Sequence, residues 1–460
     1  MSNPLPPGLD DALRFPLNDA LQGRRARRFS LGAEIPDGML RYCSSKPPLP
    51  LEGIEKEMVL SAVSGITGWH YMISHNPQYA PFLPNYSGSA WGRTFPSAAG
   101  FHTSEVFYTD DDGIYHMPSR DGPPLDRIEE TCARAGDDDH PERTTVYYGG
   151  VRVSETEPPT VDADRCAPDA FKGYLPSVEK ISDGRLQLPP VEAHIESHNH
   201  WCVNRPGSLL VIPVADLAQH MILGLCYLVK NGMGIYDDIN HTQVPELSRF
   251  SDIIYLDKTY PLSFLETQVV TEASVEIGTS CYAGMLQLQA MGLGGWMFDG
   301  INPFSVLGAS GDPDVPGLGF RFDTDPRWPL PNPTGLEGHF EGACPPHCKD
   351  MREAVDKVIS RKFNGGGPFH RDTPGPWRES PLVRGSAQRH STEFRECVSL
   401  MCQYILDTFG KFPGTVPTIW AMMYLQAHHL DLEFYDAKFK PGAYLETHAR
   451  HMERWHPGTK

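Results

Sequence analysis

The sequence predicts an α+β fold, on three observations. Segments of helical periodicity outnumber segments of strand periodicity, and the two do not alternate as they would in a doubly wound sheet. Three Pro- and Gly-rich clusters, at 118–159, 302–346 and 365–381, split the chain into blocks. Between the first two lies SVEIGTSCYAGMLQLQAMGLGGWMFDG, residues 274–300, which reads as a long helix with no acid or base from Ile277 to Met297.

Apolar spacing of three and four residues predicts helices at Gly8 to Gln22, Gly53 to Val63, Ala215 to Lys230 and Glu272 to Leu293. Short runs rich in β-branched and aromatic residues predict strands at Ser104 to Tyr108, Gly113 to His116, Thr144 to Val151, Ser208 to Pro213 and Ile253 to Leu256. The Asp-Gly between the first two marks a hairpin. Beyond Asp350 helices are expected at Met351 to Phe363, Ser391 to Phe409, Thr415 to His429 and Ala443 to Trp455. The chain therefore divides into a main domain, 1–345, and a helical extension, 346–460.

A net charge of -18 with a single short Arg block argues against nucleic-acid binding. The apolar run from Leu209 to Val229 is interrupted by Pro213, Asp216, Gln219 and His220, too polar for a membrane span. The first residues lack a signal peptide's basic start and apolar core. Ten irregularly spaced cysteines suit reduced thiols, so a cytoplasmic protein is expected. Cys344 and Cys348 alone supply too few ligands for structural zinc and fit a turn that opens a helix.

Three distant segments carry site-like chemistry. Arg24, Arg25, Arg27 and Arg28 form a guanidinium cluster matched to phosphate oxygens, or else a solvated basic face. Ser97, Ala98, Ala99 and Gly100 precede a strand where backbone can approach a flat ligand. Gly292, Gly294 and Gly295 end the uncharged helix, and their N–H groups can donate to a ring or phosphate. Their spacing is not that of a dinucleotide fingerprint.

In this order the segments resemble the flavin-dependent nitroreductase family. The middle one, Pro96-Ser97 to Gly100, then Glu105-Val106-Phe107-Tyr108 and Gly113-Ile114-Tyr115-His116, is most similar to the thiazole- and oxazole-forming peptide dehydrogenase branch. The resemblance covers roughly residues 15 to 310 and implies a nitroreductase-like fold with a mixed central sheet and a long central helix. It also implies a homodimer with FMN at its interface, the helix packing on a symmetry mate. The family's Arg motif lands on Gly23 to Phe29, with Gly where its first Arg stands and Arg25 where its Ser stands. Carried over, Arg24, Arg25 and Arg27 would hold the phosphate, with Ser97, Gly294, Gly295, Asp299, Gly300 and the late basic Arg361 around the flavin. The implied activity is hydride transfer to or from a flat or apolar small molecule, in a pocket with Trp201, Trp296 and Phe298.

Outside that pattern, His198 and His200 are candidate acid–base groups. With His194, Glu192 and Glu196 they also have the residue types of a first-row metal site, although their spacing fits neither a helix face nor a strand face. The alternatives to a flavoenzyme are thus a flavin-free binding or structural protein, and a metal-dependent enzyme using His194, His198 and His200. The tail lacks the paired acid-x-x-His of a dinuclear bundle site and reads as an amphipathic cover over the core.

Overall fold

The computed structural model describes residues 5–70, 72–73, 88–120, 146–148, 151–154, 157–161 and 176–458. Its centre is a seven-stranded sheet built from β1 (Ser104–Asp110), β2 (Gly113–Met117), β3 (Glu179–Asp183), β4 (Leu209–Asp216), β5 (Gly294–Phe298), β6 (Ile419–Trp420) and β7 (Tyr424–His428). The order is β3-β2-β1-β4-β7-β5, with β6 also on β4. Every pairing is antiparallel, so the expected mixed sheet is corrected. The β1–β2 hairpin forms as predicted. Asp110 accepts from the N–H groups of Asp112 and Gly113 at 2.9 and 3.2 Å, which stabilises the reversal. All residues of β1 and β4 are buried, as central strands covered on both faces require.

The helices that frame the site are α1 (Pro7–Leu13), α2 (Leu17–Gly23), α3 (Gly53–Ser64), α4 (Leu217–Lys230), α5 (Leu262–Met291), α6 (Met351–Phe363) and α7 (Thr392–Phe409). The single first helix expected from Gly8 to Gln22 is broken at Phe15-Pro16, because Pro16 cannot donate and disfavours helix before it. α5 has 30 residues, about 45 Å at 1.5 Å per residue, and starts ten residues before the expected Glu272. Gly292 ends it at φ 77°.

Why α5 is uncharged and thin is answered within one chain. Ser280 donates to Val63 O at 2.8 Å, and a Cβ at Gly284 would meet Val63 at 2.6 Å as well as Leu425. The side that carries Ser280 and Gly284 faces α3 and β7 of the same chain. Around the helix, Gly278, Tyr282 and Leu286 are half-buried.

The expected helix Thr415 to His429 is instead β6 and β7. A short, largely apolar run cannot be told from a buried helix by periodicity, and pairing with β4 on one side and β5 on the other makes it strand. Ile253 to Leu256, expected as a strand, is a turn whose Ile253 and Ile254 N–H groups donate to Phe250 O. Of the segment Thr144 to Val151, residues 144, 145, 149 and 150 lie outside the described residues, and Val146–Tyr148 is a strand. The last helix is two short ones, Glu446–Ala449 and His451–Trp455.

Residues 346–460 are therefore no helical layer over a finished domain. β7 lies between β4 and β5, and α6 and α7 share a buried cluster with α4 and α5. The molecule is mixed α/β.

Candidate metal centre

Four buried side chains from both ends of the chain converge beside the end of α5: Glu55, His429, His451 and His456. Glu55 is the third residue of α3. Its Oε2 accepts the Glu52 N–H at 2.7 Å, closing a capping box that fixes the carboxylate at the helix start. His429 follows the last residue of β7. Strand alternation turns His428 toward Trp296 and its neighbour His429 toward Glu55. His451 opens the final short helix and His456 closes it, so one turn presents both rings.

Inside the cluster, Glu55 Oε1 lies 3.0 Å from His451 Nε2 and 3.2 Å from His456 Nε2. His429 Nδ1 lies 3.0 Å from His451 Nε2. Every ring also has an outward partner: Met291 O for His451 Nδ1 at 2.8 Å, Glu52 Oε1 for His456 Nδ1 at 3.0 Å, and Pro50 O for His429 Nε2 at 3.3 Å. A carbonyl or carboxylate oxygen only accepts, so each outward nitrogen carries the proton, and the Nε2 atoms of His451 and His456, which face the Glu55 carboxylate, either donate to it as well or share a cation with it. In neutral rings the lone pairs of His429 and His451 then face each other at 3.0 Å. Such an arrangement needs a cation between them or a proton on one ring. Outer hydrogen bonds that aim ligand nitrogens inward are the usual second layer of a metal site.

The electrostatics differ across the four groups: Glu55 is held ionised and His429 neutral, as ligands require, whereas His456 is drawn toward its protonated form. Burial pushes the Glu55 carboxyl up, but hydrogen bonds from His451 and His456 and the charge of His429 outweigh it and hold it well below the usual range. Burial, reinforced by His451 and His456, lowers His429 to about 4 despite Glu55. For His456 burial acts downward, yet Glu55 and Glu52 raise it overall. Zinc bonds of about 2.0–2.2 Å in a tetrahedron set ligand atoms about 3.3–3.6 Å apart; the three close pairs here lie at 3.0, 3.0 and 3.2 Å, and all four ligand atoms lie within 4.8 Å of one another. The four side chains are 0–6% exposed, the condition of a closed centre.

The sites expected from sequence are distributed differently. Arg27 is buried, donating to Ala443 O, Gln289 Oε1 and Gly23 O, and burial lowers it to about 10. It ties the end of α2, α5 and the tail together, and these three bonds occupy the nitrogens expected for phosphate. Arg24 reaches Met285 and the face of Tyr282, while Arg25 is exposed and donates to backbone. Gly294 and Gly295 lie within β5, not in a ligand-facing turn. A Cβ at Gly295 would strike Gln426 O, and its φ is 145°. Asp299 is exposed just past β5, and Gly300 O accepts from Glu196. Ser97 Oγ accepts from Phe101 and His102 N–H, and Thr279 of α5 donates to Pro96 O. The Arg segment and the Ser97 loop thus both meet α5. Arg361 lies on Gln219 instead.

His194, His198 and His200 do not converge. His194 bonds Ser305, exposed His198 sits 3.5 Å from Glu196, and His200 bonds Ile195 O. Among the described residues these three form no group of potential metal ligands, whereas the four tail-cluster residues do. Beside the expected aromatics, the Arg28 guanidinium lies 4.9 Å from the Trp296 ring and 5.6 Å from that of Trp201. Sequence reasoning missed the centre because Glu55 lies hundreds of residues from the histidines. The only local signal was His451 and His456 five apart, behind His428-His429.

An α/β fold with a buried three-histidine, one-glutamate cluster is thus the class that fold and site define. No family model, curated protein or solved structure matches the chain.

Proposed function

We propose that this chain is a metalloprotein in which Glu55, His429, His451 and His456 hold one divalent first-row ion, zinc by donor set and closure. The facing nitrogens of His429 and His451 carry the reading. With four protein ligands and no exposed position, the ion's role is to lock residues 429–456 onto α3 and the end of α5. Elemental analysis of protein purified without added metal tests it: about one ion per chain, lost with His451→Ala, is expected. Metal-free protein whose stability zinc leaves unchanged would refute it.

A second reading, an FMN-dependent oxidoreductase, has one favouring observation. Arg25, Arg28, Trp201, Phe434 and Tyr435 line a cavity of about 370 Å³, within the range of small-molecule sites. In it, Arg25 and Arg28 would take the phosphate and the aromatic rings the flavin, with His198 and His200 near the Arg28 side and the half-buried stripe of α5 as the homodimer face. Flavin absorbance bands in the purified protein test this independently of metal content; a colourless protein that takes up no FMN removes it.

A further inference from the structure

Toward the other edge of the central sheet, three side chains converge that neither reading uses: His116, Glu179 and His339. His116 lies on β2 and Glu179 on the edge strand β3, and the antiparallel register sets them directly opposite each other. Side chains so placed share a face, with Cβ atoms about 4.5–5.5 Å apart. His339 comes from a distant part of the chain. It closes the turn between strands Asn332–Leu336 and Phe340–Glu341, where its N–H donates to Leu336 O at 3.0 Å and Gly338 takes φ 76°.

The His116 ring is fully buried and stacks on Phe107 at 4.5 Å. Its Nε2 lies 2.8 Å from Glu105 Oε2, while Glu105 Oε1 accepts the Ser119 and Arg120 N–H groups. Glu105 thus serves as an acceptor, and Nε2 carries the proton that it takes. The lone pair is left on Nδ1, a buried atom with no hydrogen-bond partner among the described residues. Nδ1 faces Glu179 Oε2 at 3.7 Å, too far for a hydrogen bond. The same oxygen lies 3.2 Å from His339 Nδ1. One donor atom from each of the three residues lies within 4.8 Å of the other two.

We propose that His116, Glu179 and His339 form a second site, for a divalent first-row cation that exchanges with solvent. Two imidazoles and one carboxylate are the donors of open zinc sites. Atoms held by one such ion stand about 3.3–3.6 Å apart, which the separations of 3.2 and 3.7 Å bracket. A proton on Nδ1 would leave that buried nitrogen unsatisfied at 3.7 Å, whereas a cation between the two atoms satisfies both. The Glu105 carboxylate behind His116 is the outer partner that aims a ligand histidine. The Glu179 and His339 side chains are 47% and 33% exposed, so the remaining position opens to water, unlike the closed tail centre.

Calorimetric titration of the full chain, as purified, with zinc chloride tests the proposal. Wild type takes up an equivalent of zinc that a chelator withdraws again. His339→Ala and Glu179→Ala, both at partly exposed positions, each weaken that uptake by at least the about 10–100-fold that an outer partner alone costs. The metal that the chain already carries as purified is the same in both variants as in wild type, which keeps this test apart from that of the tail centre. No exchangeable zinc in wild type, an uptake unchanged in either variant, or a loss of the resident metal with them overturns the proposal. The first of these outcomes is read on the unmodified chain, so the test stays decisive if a variant fails to fold.

Discussion

Replacing Glu55 by Gln removes a charge at the centre while changing almost nothing else. Gln has the same volume, and its carbonyl oxygen can still accept the Glu52 N–H that Glu55 Oε2 takes at 2.7 Å. The helix cap, worth about 1 kcal/mol, is therefore retained. What disappears is the carboxylate that faces His451 and His456 at 3.0 and 3.2 Å and that would ligate the ion. Removing one partner from a buried charged group costs about 3–5 kcal/mol, a factor of about 10²–10⁴ in the unfolding constant. An ion bound only by the folded chain adds about 4 kcal/mol at a thousandfold excess over its dissociation constant. The assay is urea unfolding of wild type and Glu55→Gln, each with and without a chelator, alongside metal analysis. Wild type should lose stability to the chelator. The variant should start lower, carry little metal and be insensitive to the chelator. A variant that keeps a full complement of metal, or a wild type indifferent to both chelator and added zinc, would refute the reasoning and leave a protonated histidine network in its place.

Three further outcomes are expected. Burial lowers His428 and His448 to about 3 and His429 to about 4, below the ordinary value near 6.5. The unfolded chain then binds more protons than the folded one between those values. Stability should rise with pH through that window and be lost on acidification from about 6.5 toward 4, by up to about 1.4 kcal/mol per pH unit per histidine; flat urea midpoints from pH 7 to 4.5 would contradict this. Gly295→Ala should destabilise by about 1–3 kcal/mol or more, since φ 145° is nearly reserved for glycine and the Cβ would strike Gln426 O; an unchanged thermal midpoint would show that β5 is not packed as described. A chain ended at Phe363 lacks β6 and β7, so β4 and β5 lose the strand between them and no cooperative melt is expected; a soluble, cooperatively melting fragment would refute that.

Elements whose signal is local were legible. The β1–β2 hairpin follows from its Asp-Gly turn, and α6 occupies the predicted Met351 to Phe363 because a capping Asp350 and a clean periodicity mark it. The turn at Cys344 to Cys348 does lead into that helix, with the Cys348 N–H on Cys344 O at 3.1 Å. The uncharged stretch of α5 correctly announced burial, since charge is absent where water is excluded.

The sequence by itself determined where the chain turns, which runs are buried and that the tail has too much aromatic surface to stand in solvent. The tertiary structure decided what those runs are buried against. Val63 and Leu425 fill the space beside Gly284. Trp420 and Tyr424 belong to strands because β4 and β5 leave a place between them, which no local preference encodes. It also decided the site: Glu55 becomes a candidate ligand only when β7 brings His429 to it and the last helix brings His451 and His456. A metal centre depends on distances between atoms, and chain separation carries no information about those until the fold closes.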